Sequence, residues 1–147
     1  MFLHKKLITY LKLNKIIKNK VKLIIFCNPH NPVGRVWTKE EIEKVFEICK
    51  KHDLYIVSDE IHQDINLGIR PFVSALSVKN KYYQKLIVLN SASKTFNLAS
   101  LLNSHVIIPN EEIRRKYKKF VGKVNRTEFN LLGLIATESA YRYGGDW

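Results

Sequence analysis

The sequence predicts an α/β fold built on a mostly parallel sheet, and three features of the chain predict it. Short apolar runs recur along it, an amphipathic helical segment separates the first two, and each of the first three runs ends in a polar, turn-forming stretch. Buried strands of parallel sheets read as continuous apolar runs, and helices make the crossovers between them.

Residues 1–21 mix apolar residues with Lys5, Lys6, Lys12, Lys15, Lys18 and Lys20. Lys12 and Lys15 interrupt any apolar core and no small-residue cleavage site follows, so the stretch reads as a basic N-terminal helix and not as a leader peptide. From Lys22 to Cys27 a strand-forming run stops at Asn28-Pro29-His30-Asn31-Pro32-Val33-Gly34, where two prolines and a glycine enforce a loop. Thr38 with Glu41 has the spacing of a capping box, and Trp37 with Ile42 that of a hydrophobic staple, so a helix begins there. Within it Ile42, Val45, Phe46, Ile48 and Cys49 recur at helical spacing. Glu40 and Glu41 open the helix while Lys50, Lys51 and His52 close it, in agreement with the macrodipole.

Leu54–Val57 is the second buried run, followed at once by Ser58-Asp59-Glu60-Ile61-His62. Strand, loop, helix and strand in this order form a βαβ unit whose crossover is expected to be right-handed. Leu86–Leu89 is the third run and ends in Asn90-Ser91-Ala92-Ser93-Lys94-Thr95-Phe96-Asn97. The fourth, His105–Ile108, is stopped by Pro109, and Asn110 is placed to cap a helix from Glu111. Only ten residues separate Ser93 from Ser104, marginal for a parallel crossover, which favours an antiparallel fourth strand. A last helix is expected over residues 128–143, with Leu131, Leu132, Leu134, Ile135 and Ala140 as its apolar face and Gly144-Gly145 as its end.

At 147 residues the chain is long enough for one globular core. Its longest uninterrupted apolar stretch, Leu23–Cys27, is far short of the ~18 residues a membrane helix needs, so no membrane partner is expected. Cys27 and Cys49 form no CxxC pair, which fits a reduced, cytoplasmic setting, and no metal site is expected. The net charge of +12 raises nucleic acid as a partner. The charge is divided, however, between the N-terminal lysines and a second group, Arg114, Arg115, Lys116, Lys118, Lys119, Lys123 and Arg126. No helix-turn-helix, RNA-binding or zinc-finger pattern accompanies either group. A lysine-rich solvated surface without specific nucleic-acid binding is the expected reading.

Three polar clusters, around Asn31, Asp59 and Lys94, follow three successive buried strands, and ligands of open α/β sheets bind at that edge. Asn31-Pro32-Val33-Gly34, Ser58-Asp59-Glu60-Ile61-His62 and Ser91-Ala92-Ser93-Lys94-Thr95-Phe96-Asn97, in this order and spacing, resemble the large domain of fold-type I pyridoxal-phosphate enzymes, the aminotransferase class I/II group. The fuller strings Asn28 to Trp37, Asp59-Glu60-Ile61-His62 and Ser93 to Ala99 are similar to its branch of cystathionine β-lyases and cysteine-S-conjugate β-lyases.

The resemblance implies part of a three-layer αβα large domain of the PLP-dependent transferase-like fold over residues 22–147, with the family's N-terminal region and C-terminal small domain absent. It implies pyridoxal 5'-phosphate as cofactor, a small amino acid as substrate and a homodimer in the full-length family. Lys94 takes the place of the lysine that holds the cofactor aldehyde and moves the α-proton. Asp59 matches the carboxylate that keeps the pyridine nitrogen protonated. Asn31 matches the asparagine donating to the phenolic oxygen, and Ser91 and Ser93 match hydroxyls near the phosphate. His62 stands where transaminases carry a tyrosine bonding to the same oxygen; donation, acceptance and packing are all open to an imidazole there. Two positions depart from the pattern: Ser100 replaces a usual glycine, and Leu102 stands where many transaminases place a phosphate-binding arginine. The implied reaction is β-elimination from cystathionine or a cysteine-type amino acid, giving a thiol, pyruvate and ammonia. The alternatives are aminotransfer, a catalytically inactive remnant and a basic nucleic-acid-binding module. The chain by itself is expected to be inactive.

Overall fold

The computed structural model of the chain describes residues 13, 15, 17, 21–65, 67–124 and 130–147. Four strands, β1 (Leu23–Cys27), β2 (Tyr55–Asp59), β3 (Leu86–Asn90) and β4 (His105–Ile107), form one sheet in that order. β1, β2 and β3 run parallel, with Cys27 beside Asp59 and Asp59 beside Leu89. β4 is antiparallel to β3, as the short connection favours. The C-terminal ends of three adjacent strands therefore share one edge, and that edge carries the three polar clusters.

The first helix, α1 (Lys39–Lys51), is set by its own sequence. Both halves of the capping box are present: the Glu41 N–H donates to Thr38 Oγ1 at 3.3 Å and the Thr38 N–H to the Glu41 carboxylate at 3.0 Å. Such a cap contributes about 1 kcal/mol. Ile42, Val45, Phe46 and Cys49 are buried, so the face read from the spacing is the face that packs, with Ile48 only half-buried at its border. They meet Phe26, Ile56, Leu86 and Val88 of the sheet and Tyr82 of the 3-10 turn Asn80–Lys85. Phe26, Phe46 and Tyr82 stack edge to face at 5.8 Å spacings through the centre of this layer. Each such side chain removed from water contributes roughly 1.5–3 kcal/mol, which makes α1 against β1–β3 the main core.

Ahead of the sheet, Leu13 and Ile17 pack against the same core, and the Ile17 N–H donates to the Leu13 carbonyl, as in a helical turn. Of the helix expected over residues 1–21, Leu13 and Lys15 are helical and Ile17 and Val21 are not, and the other residues of that span lie outside the described residues. After β3 a single turn, α2 (Ala92–Thr95), is capped by Ser91. The helix α3 (Glu111–Lys123) begins at the expected cap, the Asn110 side chain accepting from the Ile113 N–H at 3.0 Å.

The last helix, α4 (Leu131–Tyr143), corrects the expected apolar face. Leu131, Leu132, Leu134 and Ile135 are all exposed, and the helix docks through Gly133 and Thr137. The reason is polar. Asn103 reaches from the segment before β4 and donates to the Gly133 carbonyl at 3.2 Å and to Thr137 Oγ1 at 2.9 Å, which turns the small residues inward. Its start is capped by Asn130; the first two residues of the expected span lie outside the described residues. No helix among the described residues is long and apolar enough to cross a membrane.

Candidate functional site

The loop after β1 is wound tightly on itself. Asn28–Pro29 and Asn31–Pro32 are both cis, the His30 N–H donates to the Arg35 carbonyl at 2.8 Å, and the Gly34 N–H donates back to His30 at 2.7 Å. Gly34 closes the turn at φ +68°, a backbone state that favours glycine. Asn31 stands exposed at the tip. Arg35 pairs with Glu41 and lies 4.2 Å over the Trp37 ring, anchoring the loop's return to α1.

At the end of β2 Asp59 is half-buried. One of its oxygens accepts the Ile61 N–H at 3.2 Å, and no other partner of the carboxylate occurs among the described residues. His62 follows in a turn where the Ile65 N–H donates to the His62 carbonyl at 3.1 Å, and its imidazole meets no hydrogen-bonding group among the described residues. Asn31 and His62 line one open cavity of about 560 Å³, with Val36, Ile65, Leu67 and Ile69 as its apolar wall. Asp59, Ser91, Ser93 and Lys94 do not line it.

After β3, Ser91 and Ser93 differ in what they have free. Ser91 is buried; its hydroxyl donates to the Asn103 carbonyl at 2.5 Å and accepts the Ser93 N–H at 3.0 Å. The one proton it can donate is committed. The Ser93 hydroxyl and the exposed Lys94 ammonium have no partner among the described residues. Lys94 belongs to α2, which is tied down on two sides. Thr95 Oγ1 donates to the Asp64 carboxylate at 3.0 Å, linking α2 to the loop after Asp59. The Trp147 indole donates to the Thr95 carbonyl at 2.8 Å, and Phe96 packs edge to face on Tyr141 of α4 at 5.6 Å.

The polar side chains of this edge thus fall into two groups. Asn28, Glu60, Ser91 and Asn103 are engaged by hydrogen bonds within the chain. Asn31, His62, Ser93, Lys94 and one Asp59 oxygen are free among the described residues, at the ends of three adjacent strands. Sequence reasoning assigns no site role to Asn28, Glu60, Asp64 or Asn103. The signal available for Asn28 is a polar residue directly continuing an apolar strand into proline. Among the described residues no group of three or more His, Cys, Asp or Glu gathers as metal ligands would.

Comparison with known proteins bears on the family and the fold. Residues 5–137 match the family model of aminotransferase class I and II. The chain is 36% identical to cystathionine beta-lyase PatB of Bacillus subtilis over 133 residues, 90% of this chain and 34% of that protein. Among solved structures, cystalysin from Treponema denticola, which contains pyridoxal 5'-phosphate, superposes with a TM-score of 0.85 at 38% identity, covering 95% of this chain and 36% of that one. The PLP-bound C-S lyase from Staphylococcus hominis superposes at 0.81 with 35% identity, covering 95% and 34%. The chain spans about a third of the length of these relatives. On the extent of the family match and the likeness of the fold, the chain belongs to the aminotransferase class I and II family, whose enzymes depend on pyridoxal 5'-phosphate.

Proposed function

We propose that this chain is the central part of the cofactor-binding large domain of a carbon–sulfur β-lyase, carried by residues 22–147 after a basic N-terminal segment over 1–21. The reaction is elimination of a thiol or hydrogen sulfide from cystathionine or a cysteine-type amino acid, leaving pyruvate and ammonia. The observation that carries the reading is the set of free groups at the ends of β1, β2 and β3 beside polar neighbours that are engaged within the chain. A free amine, carboxylate oxygen, amide, imidazole and hydroxyl are the chemistry that an aldehyde, a basic ring nitrogen, a phenolic oxygen and a phosphate would engage.

When bound, the cofactor supplies an electron sink beside the substrate Cα. Lys94 is the residue to hold its aldehyde and, once released by the substrate amine, to move the proton at Cα. Asp59 would keep a proton on the ring nitrogen through its free oxygen. Asn31 would donate its amide to the phenolic oxygen, and His62 lines the same cavity as Asn31. Ser93 offers the phosphate a free hydroxyl, whereas Ser91 does so only by leaving the Asn103 carbonyl. Leu102, 87% exposed, brings no charge, so phosphate retention rests on these neutral donors.

Aminotransfer is the second reading, favoured by the family itself, because it shares proton removal at Cα with β-elimination. In the whole protein the expected partners are a small amino acid and a second copy of the chain. Little turnover is expected from these 147 residues alone, since misalignment on the order of 1 Å already costs ~10²-fold. The experiment is borohydride reduction of the chain with pyridoxal 5'-phosphate, followed by peptide mapping. A pyridoxyl mass on Lys94 supports the reading and a mass confined to other lysines rejects it. Pyruvate and sulfide release, set against transfer to a keto acid, separates lyase from aminotransferase in the longer protein.

A further inference from the structure

Two fully buried polar side chains of this edge, Asn28 and Glu60, each 1% exposed, take no part in the reaction as proposed. Their hydrogen bonds converge on one short segment. Asn28 donates through Nδ2 to the Val73 carbonyl at 2.9 Å and accepts the Trp37 N–H at 3.0 Å. Glu60 accepts from Ser58 Oγ at 2.9 Å, Ser74 Oγ at 2.7 Å and the Ala75 N–H at 2.7 Å. The same two residues also join the strand ends through their backbones, the Asn28 N–H donating to the Asp59 carbonyl at 2.9 Å and the Glu60 N–H to the Leu89 carbonyl at 2.8 Å.

We propose that Asn28 and Glu60 form a clamp that positions the cofactor-facing residues Asn31, Asp59 and His62. The loop that leaves β2 after Asp59 carries His62 and returns at Val73–Ala75, where both side chains seize it. Asn28 also holds Trp37, the far end of the loop that carries Asn31, so a single amide sets the two cavity-lining loops against each other. A buried carboxylate facing three donors is costly to place by burial alone. An apolar side chain of similar volume could serve a purely packing role, because replacing a buried polar network as a whole by well-packed apolar groups can be nearly neutral or stabilising. What the polar pair provides is direction, since each bond names a partner at a strand end or on the returning segment.

This inference rests on the lyase reading only for what the clamp serves, and its test separates the two. The chain and its Glu60→Ala, Glu60→Gln, Asn28→Ala and Phe46→Leu variants are compared in two measurements. One is the pyridoxal 5'-phosphate concentration that half-labels Lys94 on borohydride reduction. The other is amide hydrogen exchange over residues 61–75 relative to α1. Glu60→Ala and Asn28→Ala should raise the half-labelling concentration about tenfold or more and speed exchange selectively over residues 61–75. Glu60→Gln, which keeps an acceptor for Ala75, should restore both measurements most of the way. Phe46→Leu, a core change away from the clamp, should lower stability without the selective exchange or the labelling defect.

Labelling of Glu60→Ala like the parent overturns the clamp, as does exchange rising equally over α1 and residues 61–75, or Phe46→Leu behaving like Glu60→Ala. Should Glu60→Ala not fold, Asn28→Ala alone must show the selective loss, and its failure to do so overturns the proposal. A parent chain that takes no label on Lys94 rejects the cofactor reading. The clamp then stands or falls on the exchange pattern.

Discussion

Gly133 and Gly122 offer the same substitution in two helices with opposite expected outcomes. Glycine to alanine in a helix is favourable by up to about 1 kcal/mol, because glycine loses more backbone freedom on folding. At Gly122 a Cβ would meet nothing within 4 Å, so Gly122→Ala should stabilise by roughly that amount. At Gly133 the Cβ would lie 2.7 Å from the Leu101 carbonyl oxygen, a backbone atom that cannot swing away as a side chain could. Relief requires α4 to move outward, at about 1–3 kcal/mol for overpacking. It also stretches the Asn103 bond to the Gly133 carbonyl, itself contributing about 1 kcal/mol. The expected net is a loss of about 1–3 kcal/mol for Gly133→Ala, and a gap of about 2–4 kcal/mol between the two variants. Urea midpoints at a shared slope would measure it. Because Asn103 also receives the Ser91 hydroxyl beside Lys94, labelling of Lys94 by pyridoxal 5'-phosphate should weaken in Gly133→Ala alone. A Gly133→Ala chain as stable as Gly122→Ala would refute the docking of α4 through small residues.

Three further outcomes are expected. In a full-length context of the family, Asp59→Ala should cut turnover ~10²-fold or more while leaving attachment at Lys94 intact, and turnover within about twofold of the parent would reject the ring-nitrogen role. Burial holds the Glu60 carboxyl above its ordinary value of 4.5, helped slightly by Asp59 and opposed by the Ala75, Ser74 and Ser58 donors. A raised folded value for an acid means a contribution that is full below about 4.5 and lost as pH rises through the folded value. Glu60→Gln should therefore gain in Tm on the parent across that rise, and a difference constant with pH would count against it. Burial pushes the Cys49 thiol up to about 12, so alkylation at about pH 8 should leave Cys49 unmodified until denaturant is added, with Cys27 reacting first.

What could be read from the sequence was local. The capping box at Thr38, the buried face of α1 and the Asn110 cap all depend on residues within a turn or two of each other, where spacing decides geometry. The antiparallel β4 follows from chain length alone. The face of α4 could not be read this way. Its leucines satisfy an apolar pattern, but which face docks is decided by Asn103, 34 residues from its partner Thr137, and by the room that a missing Cβ leaves at Gly133. Periodicity reports what a helix offers and says nothing of what its neighbour takes.

The candidate site follows the same division. The types of its residues were legible, since an asparagine, an aspartate, a histidine and a lysine each follow a buried strand. Their availability was not. Asn28 and Asn31 belong to the same loop and are equally polar in sequence, yet one is consumed by a carbonyl 45 residues away and the other is free at the loop tip. Asp59 and Glu60 are adjacent carboxylates. Alternation along the strand sends Glu60 into three donors in the interior and leaves Asp59 with one oxygen facing outward. Ser91 and Ser93 divide in the same way across one turn. In each pair the engaged member holds the backbone that presents the free one, so a substitution at either should impair the site, by different routes. Loss of the free residue removes a chemical group and spares the fold. Loss of the engaged one leaves every candidate group present and misplaced, a distinction that hydrogen exchange can read and sequence cannot.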